Sequence, residues 1–302
     1  MSFLEQIFNA RTNAIGETSR KLYKRNLEKL NGGDEVTDLK YLSDIKSVLK
    51  TIEKYAPTTQ RTFIISICTV LRGSDDQDLY QEYFDILKQF NSKLSVNTEK
   101  SQKQKENWIS TDDIAKLRIG LQQKVSKKKV TNKIEFTTLL QYLVLSLYSL
   151  ISPRRNLDFA LMKVSSDMRN KEFNYLDLPN KRFVFNRYKT AGTYHEVAVD
   201  IPDDLMVVIK LYLRSHPFIV KTKNKSFNFS FLINFDGVSI DNSDKMTKLI
   251  NKIFGRKISS SMLRNIFLSD KYSTVLKELK SDTADMGTSV GTAMNNYIKQ
   301  DS

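Results

Sequence analysis

The sequence predicts a mainly α protein of two domains, with one small antiparallel β-sheet confined to the second. Three observations carry this. Apolar residues recur at three- and four-residue steps through most of the 302 residues. Only Asn174 to Asp200 breaks into β-rich runs. A polar stretch without apolar periodicity, Asn91 to Asn107, separates two patterned regions and reads as an exposed linker. At roughly 100–200 residues per domain the length suits two cores. With 40% hydrophobic residues, 10 Gly and 5 Pro, the composition excludes disordered, collagenous and low-complexity classes.

The first region, 1–95, reads as a four-helix bundle. Thr18-Ser19 open a helix with Leu22, Tyr23, Leu27 and Leu30 on one stripe, ended by Gly32-Gly33. Asp38 caps a second, with Leu42, Ile45, Leu49 and Ile52 in step, and Pro57 stops it. A third follows Thr58-Thr59 and carries Phe63, Ile67, Val70 and Leu71 on one face. The fourth, around Leu79 to Phe90, follows the acidic turn Ser74-Asp75-Asp76. Arg20, Lys21, Lys24 and Arg25 suit either a DNA backbone contact or a solvated helix face.

After a linker at 96–107, the second region covers 108–302. Trp108-Ile109 followed by Ser110 and Asp112-Asp113 reads as an apolar staple, an N-cap and an acidic first turn, opening a helix to about Lys124. Phe136 to Ile151 is a 16-residue apolar run containing Gln141. A membrane span takes ~20 apolar residues, so this is a buried core helix and no membrane partner is expected. The runs KRFVFNRY and YHEVAVDI, around Thr190-Ala191-Gly192, predict a three-stranded meander. From Asp203 onward DDLMVVIKLYLRSH, SDKMTKLINKIF, SSSMLRNIFLSDKY, TVLKELK and TAMNNYIK all fit helical spacing.

Charge narrows the partner. Lys+Arg at 48 against Asp+Glu at 34 leaves a formal +14. Residues 1–100 hold 15 basic and 14 acidic residues, so the remaining 33 and 20 place +13 in 101–302. Such an excess suits a partner carrying phosphates. One cysteine, Cys68, excludes an intramolecular disulfide framework and a cysteine-based zinc site; two histidines, His195 and His216, exclude most histidine-rich metal centres. The opening residues lack a basic start and an uninterrupted apolar stretch, so an intracellular location is expected.

The chemistry-bearing residues of the second region are spaced far apart. Arg154-Arg155 follow the apolar run directly, in Ser152-Pro153-Arg154-Arg155-Asn156-Leu157-Asp158. Lys189 stands in Tyr188-Lys189-Thr190-Ala191-Gly192. Arg264 lies in Ser261-Met262-Leu263-Arg264, and Tyr297 follows Met286-Gly287-Thr288 by nine positions. A guanidinium held at the end of an apolar element favours bidentate phosphate recognition.

In this order and context the chain resembles the tyrosine recombinase (phage integrase) family. Arg155, Asp158, Phe159 and Met162 reproduce its first arginine motif in step; Arg154 would put Leu157 in the acidic place. Lys189-Thr190 is similar to the family's hairpin lysine, Leu263-Arg264 to its second arginine, and Met286-Gly287-Thr288 to its Leu-Gly-His. The Pro-Arg-Arg form, the Asn107-Trp108-Ile109 opening and the Lys-Tyr after the second arginine resemble the branch found in large DNA viruses and their mobile elements. Two positions depart from the pattern. Ser261 stands where the family has His in His-x-x-Arg, and Thr288 where it has His or Trp.

The resemblance implies a helical core-binding (SAM-like) bundle followed by a tyrosine-recombinase catalytic domain. It further implies cleavage and rejoining of double-stranded DNA through a 3′-phosphotyrosyl bond, by four protomers on two duplexes, with no cofactor or metal. The implied catalytic set is Arg155, Lys189, Arg264 and Tyr297, with Ser261 and Thr288 in the histidine places. Hydroxyls are poor bases, and general acid–base help is worth ~10²–10⁴-fold, so slow catalysis is expected. Two other readings stay open: a catalytically degenerate DNA-binding protein of the same fold, and an activity like that of type IB topoisomerases. His195, in the predicted hairpin, reads as an exposed strand residue.

Overall fold

The structure, a computed structural model, describes residues 1–12, 14–72, 76–94, 99–125, 130, 132–218 and 227–299. The chain divides into two compact units, Met1–Lys100 and Ser101–Ser302.

The first unit holds α1 (Phe3–Asn9), α2 (Glu17–Leu30), a 3-10 turn (Lys40–Ser43), α3 (Ile45–Glu53), α4 (Pro57–Leu71) and α5 (Gln77–Lys93). Among the described residues it has one α-helix more than the expected four. The extra one, α1, is capped by Ser2, whose side chain accepts from the Glu5 amide. It buries Leu4 and Phe8. Several predicted boundaries move for local reasons. Thr18 and Ser19 lie inside α2, which begins at Glu17 behind Gly16. Pro57 starts α4 instead of only ending α3, because a first helical residue has no use for its N–H. The second predicted helix is two pieces. Asp38 accepts from the Lys40 amide before the 3-10 turn, and Asp44 caps α3 by accepting from Ser47. Asp76 caps α5 through the Leu79 amide; Ser74 and Asp75 lie outside the described residues.

The apolar stripe of α4 is buried as expected, that of α5 is buried at Leu79 and Tyr83 and half-buried elsewhere, and Tyr83 donates from the core to the Leu42 carbonyl at 2.7 Å. Leu22, by contrast, is 40% exposed, and the packed face of α2 is built on Asn26 and Leu27. The basic stretch of α2 is largely neutralised within the unit. Arg20 pairs with Glu5, Lys21 with Glu17 and Lys24 with Glu28. That arrangement is a solvated, ion-paired helix face.

The second unit begins with α6 (Gln102–Asn107), where the sequence predicted an exposed linker. Ser101 and Gln104 form a reciprocal capping box, which organises a polar segment that has no apolar stripe. Then follow α7 (Thr111–Lys124), capped by Ser110 as predicted, and α8 (Lys133–Ser149). Helix α8 is apolar all round and buried from Phe136 to Tyr148 save for half-buried positions, as a central helix must be. Among the described residues no helix is long and apolar enough to cross a membrane.

After α9 (Asn156–Ala160) come β1 (Met162–Ser165), β2 (Asn174–Asp177), β3 (Arg182–Phe185), the single helical turn α10 (Ala191–Tyr194), β4 (Val197–Asp200), α11 (Asp203–Ser215) and β5 (Asn228–Ser230). The predicted meander is present as β2-β3-β4, antiparallel throughout. The sheet as a whole is mixed and five-stranded, in the order β4-β3-β2-β1-β5, because β1 pairs parallel with β2. Strands of three and four residues directly after a helix or loop leave no period-2 signal, which is why β1 and β5 were not expected. The last part holds α12 (Ser243–Phe254), α13 (Ser260–Asp285), α14 (Val290–Thr292) and a π-helical turn, Ala293–Tyr297. The segments SSSMLRNIFLSDKY and TVLKELK are one helix, since no Gly or Pro intervenes. Gly287, at φ 65°, ends it, and the Thr288 amide donates back to Thr283.

Candidate functional site

The end of α8 delivers the first arginines. Pro153 is buried and the backbone is extended at Arg155, so both arginines leave a backbone fixed by the proline. Tyr148, buried on α8, donates to Asn156 Oδ1 at 2.7 Å, and Asn156 Nδ2 donates to Thr247 Oγ1 on α12 at 2.8 Å. This pins the first residue of α9, next to Arg155.

The two arginines have different surroundings. Arg154 Nε donates to Asp158 Oδ2 at 3.0 Å. Its guanidinium carbon lies 3.7 Å over the Phe185 ring and 5.2 Å from that of Tyr188. Asp158 is buried, and that burial pushes its carboxyl above the ordinary range despite the pull of Arg154 and Arg155. The acidic residue of the arginine motif therefore bonds Arg154, whereas the sequence spacing had matched it with Arg155. Arg155 is half-buried and makes no side-chain capping bond to α9.

Arg264 comes from the start of the second turn of α13, whose N-cap is Ser259. Its Nη2 donates to Ser261 Oγ at 3.4 Å, and its buried Nε has no hydrogen-bond partner. Ser261, exposed in the histidine place, thus faces the arginine.

These elements meet around an open cavity of about 300 Å³ lined by Pro153, Arg154, Arg155, Asp158, Tyr188, Thr190, Tyr194, Val197 and Arg264. Three guanidiniums face one carboxylate, and that carboxylate is already paired with Arg154. Arg155 also acts on Asp158 electrostatically, yet three guanidiniums against one carboxylate leave the cavity net positive, an arrangement that suits an anion able to accept from two directions.

The remaining predicted residues are placed as follows. Lys189 is exposed and lies between two lining residues, Tyr188 and Thr190, but does not itself line the cavity. Thr288 is half-buried beyond the end of α13. Tyr297 is 60% exposed on the π-helical turn and is not among the lining residues. His195 is no strand residue. It is exposed at the C-cap of α10 with φ 55° and ψ −146°, a region few side chains adopt, and the Tyr188 hydroxyl donates to its carbonyl at 2.9 Å. Tyr188, Tyr194 and Val197 were not singled out from the sequence; the first two flank Lys189 and the helical turn, and that proximity was the available signal. Among the described residues no group of three or more His, Cys, Asp or Glu could hold a metal.

No protein-family model matches the chain, and no curated protein does. The chain is similar to a XerA recombinase. That crystal structure is 14% identical, with a TM-score of 0.36, over 99% of this chain and 92% of that one.

Proposed function

We propose that the second unit binds the DNA backbone at the arginine cavity and that the protein is a site-specific recombinase or integrase. The observation that carries this is the convergence of Arg155 and Arg264, from distant parts of the sequence, on one cavity where three guanidiniums outnumber the single carboxylate of Asp158. A phosphodiester has two non-bridging oxygens, and two guanidiniums hold them while charge builds on phosphorus substitution. Tyr297 gives up its phenolic proton to solvent water as its oxygen forms the new bond to phosphorus, and the bond to the 5′ oxygen breaks. Lys189 supplies the proton that the departing oxygen takes up. The 3′-phosphotyrosyl product keeps the energy of the broken linkage for rejoining. The reaction requires the Ala293–Tyr297 turn to carry its phenol to the cavity. Four protomers on two duplexes, and placement in the branch of large DNA viruses and their mobile elements, belong to the same proposal and rest on the family motifs.

A second reading, a DNA-binding protein that no longer cleaves, is favoured by one observation. No histidine lines the cavity, and the Ser261 hydroxyl is already engaged by Arg264. A nicked suicide duplex separates the two. The recombinase accumulates a covalent protein–DNA adduct. The binding protein shows salt-sensitive affinity, with a slope of about 0.9 per phosphate contact, and no adduct. Absence of DNA binding at low salt contradicts both.

A further inference from the structure

We infer that Asn174 is a positioning residue for this site, holding the arginine arm and the lysine arm at a set spacing; this rests on the function proposed above. Asn174 opens β2, is fully buried and does not line the cavity. Its amide uses its full bonding capacity. Nδ2 donates to the Asp158 carbonyl in α9 at 2.7 Å and to the Arg187 carbonyl at 3.0 Å. Oδ1 accepts the Asn186 and Arg187 amides at 2.9 and 2.8 Å. An amide side chain has two donors and two strong acceptor positions, so none is left over.

The location explains why a side chain does this work. The β2-β3 ladder runs from Asp177↔Arg182 to Tyr175↔Val184 and ends there. Beyond it β3 parts from β2 while still pairing with β4 at Phe185↔Val197, and the chain then runs on toward Lys189, so that Asn186 and Arg187 lie past the β2 ladder. Asn174 bonds their amides from its side chain, and Asn186 Nδ2 returns a bond to the Phe173 carbonyl at 3.0 Å. The same amide grips α9 one turn after Arg155. Arg155 and Lys189, on separate segments, are thereby registered against each other through one residue.

Two variants test this in the full-length protein. Asn174→Ala removes all four bonds. Asn174→Asp keeps the shape and both acceptor contacts but sets an oxygen against two carbonyls. Adduct formation on the nicked duplex is expected to fall about tenfold or more in both, since small misplacements of reacting groups cost that much or more. DNA affinity stays within about threefold, because it is spread over many phosphate contacts. Leu205→Ala, a truncation in the core of the same unit, controls for lost stability and keeps the rate. An Asn174→Asp protein within twofold of wild type overturns the inference, as does an equal loss in the Leu205→Ala control. If wild type itself forms no adduct, the recombinase reading fails, and inorganic phosphate then decides the inference. Its affinity is expected to weaken about fivefold in both variants relative to the control, the scale of a disturbed charge-assisted contact; unchanged affinity overturns it. Should neither variant fold, amide exchange in wild type remains. Asn186 and Arg187, off the ladder, are expected to be protected, and rapid exchange at both contradicts the clamp.

Discussion

Replacing Arg154 and Arg155 one at a time separates a structural guanidinium from a ligand-binding one. In Arg154→Ala the buried Asp158 carboxylate loses its hydrogen-bonded ion-pair partner, keeping only the weaker pull of Arg155, and the Phe185 ring loses its cation. Breaking a buried pair from one side costs about 3–5 kcal/mol. An independent bound agrees. Neutralising a lone carboxyl at pH 7 means crossing about three pKa units at 1.36 kcal/mol each, or about 4 kcal/mol. For a unit of this size that lowers the melting temperature by about 8–16 °C. Arg155→Ala removes a half-buried side chain without such a partner and shifts it by less than about 3 °C, while abolishing phosphate binding at the cavity. Scanning calorimetry of both variants, paired with phosphate titration, reads the contrast. pH supplies a second check. Burial raises the Asp158 carboxyl, so the folded state holds that proton more tightly than the unfolded one. Its unfavourable contribution therefore appears as pH rises through the unfolded value, and grows when Arg154 is gone. The Arg154→Ala penalty is expected to be largest near pH 7 and to shrink toward pH 4. A stable Arg154→Ala protein beside a collapsed Arg155→Ala protein refutes the assignment.

Other outcomes follow from the same geometry. His216 is fully buried between the Ser230 carbonyl and the Phe218 amide, and desolvation lowers it to about 4. Its stability contribution, present above the unfolded value near 6.5, is lost as pH falls toward 4 and amounts to about 3 kcal/mol; thermal melts of His216→Gln lack that part of the acid sensitivity. Tyr148→Phe strands Asn156 Oδ1 and costs about 1–3 kcal/mol by denaturant titration, whereas a loss below the error of the method contradicts the hydrogen bond. Burial raises the Cys68 thiol to about 11, so a disulfide reagent at pH 8 labels it no faster than the protein opens.

The sequence was most informative where apolar periodicity is long. Helices α4, α5, α7, α8, α11 and α12 lie where three- and four-residue spacing puts them, because burying such a stripe needs no distant partner to define it. Boundaries were harder. Pro57 and Asp44 sit at junctions where two helices compete for the same residues, and only the packed chain decides which one a cap serves. Strands β1 and β5 were invisible, since parallel pairing with β2 and a three-residue edge depend on residues far along the chain. At the site, sequence order brought out Arg155, Lys189 and Arg264, two of which line one cavity. The partner of Asp158 was not legible. Motif spacing matched it with Arg155, but the bond is made by Arg154, whose guanidinium lies against the Phe185 and Tyr188 rings, which arrive from β3 and the segment after it. Asn174 gave no signal at all, because its role is set by where the β2-β3 ladder ends.

The most direct measurement is the site of attachment in a trapped protein–DNA complex. Digestion after Lys and Arg releases Ser281–Lys299, in which Tyr297 is the one tyrosine, so mass spectrometry assigns the linkage without ambiguity. The proposed function predicts that wild-type protein carries the nucleotide on this peptide, and that Tyr297→Phe yields no adduct. A nucleotide on the peptide containing Tyr194, which lines the arginine cavity, or its absence from every peptide under conditions of full DNA binding, contradicts it.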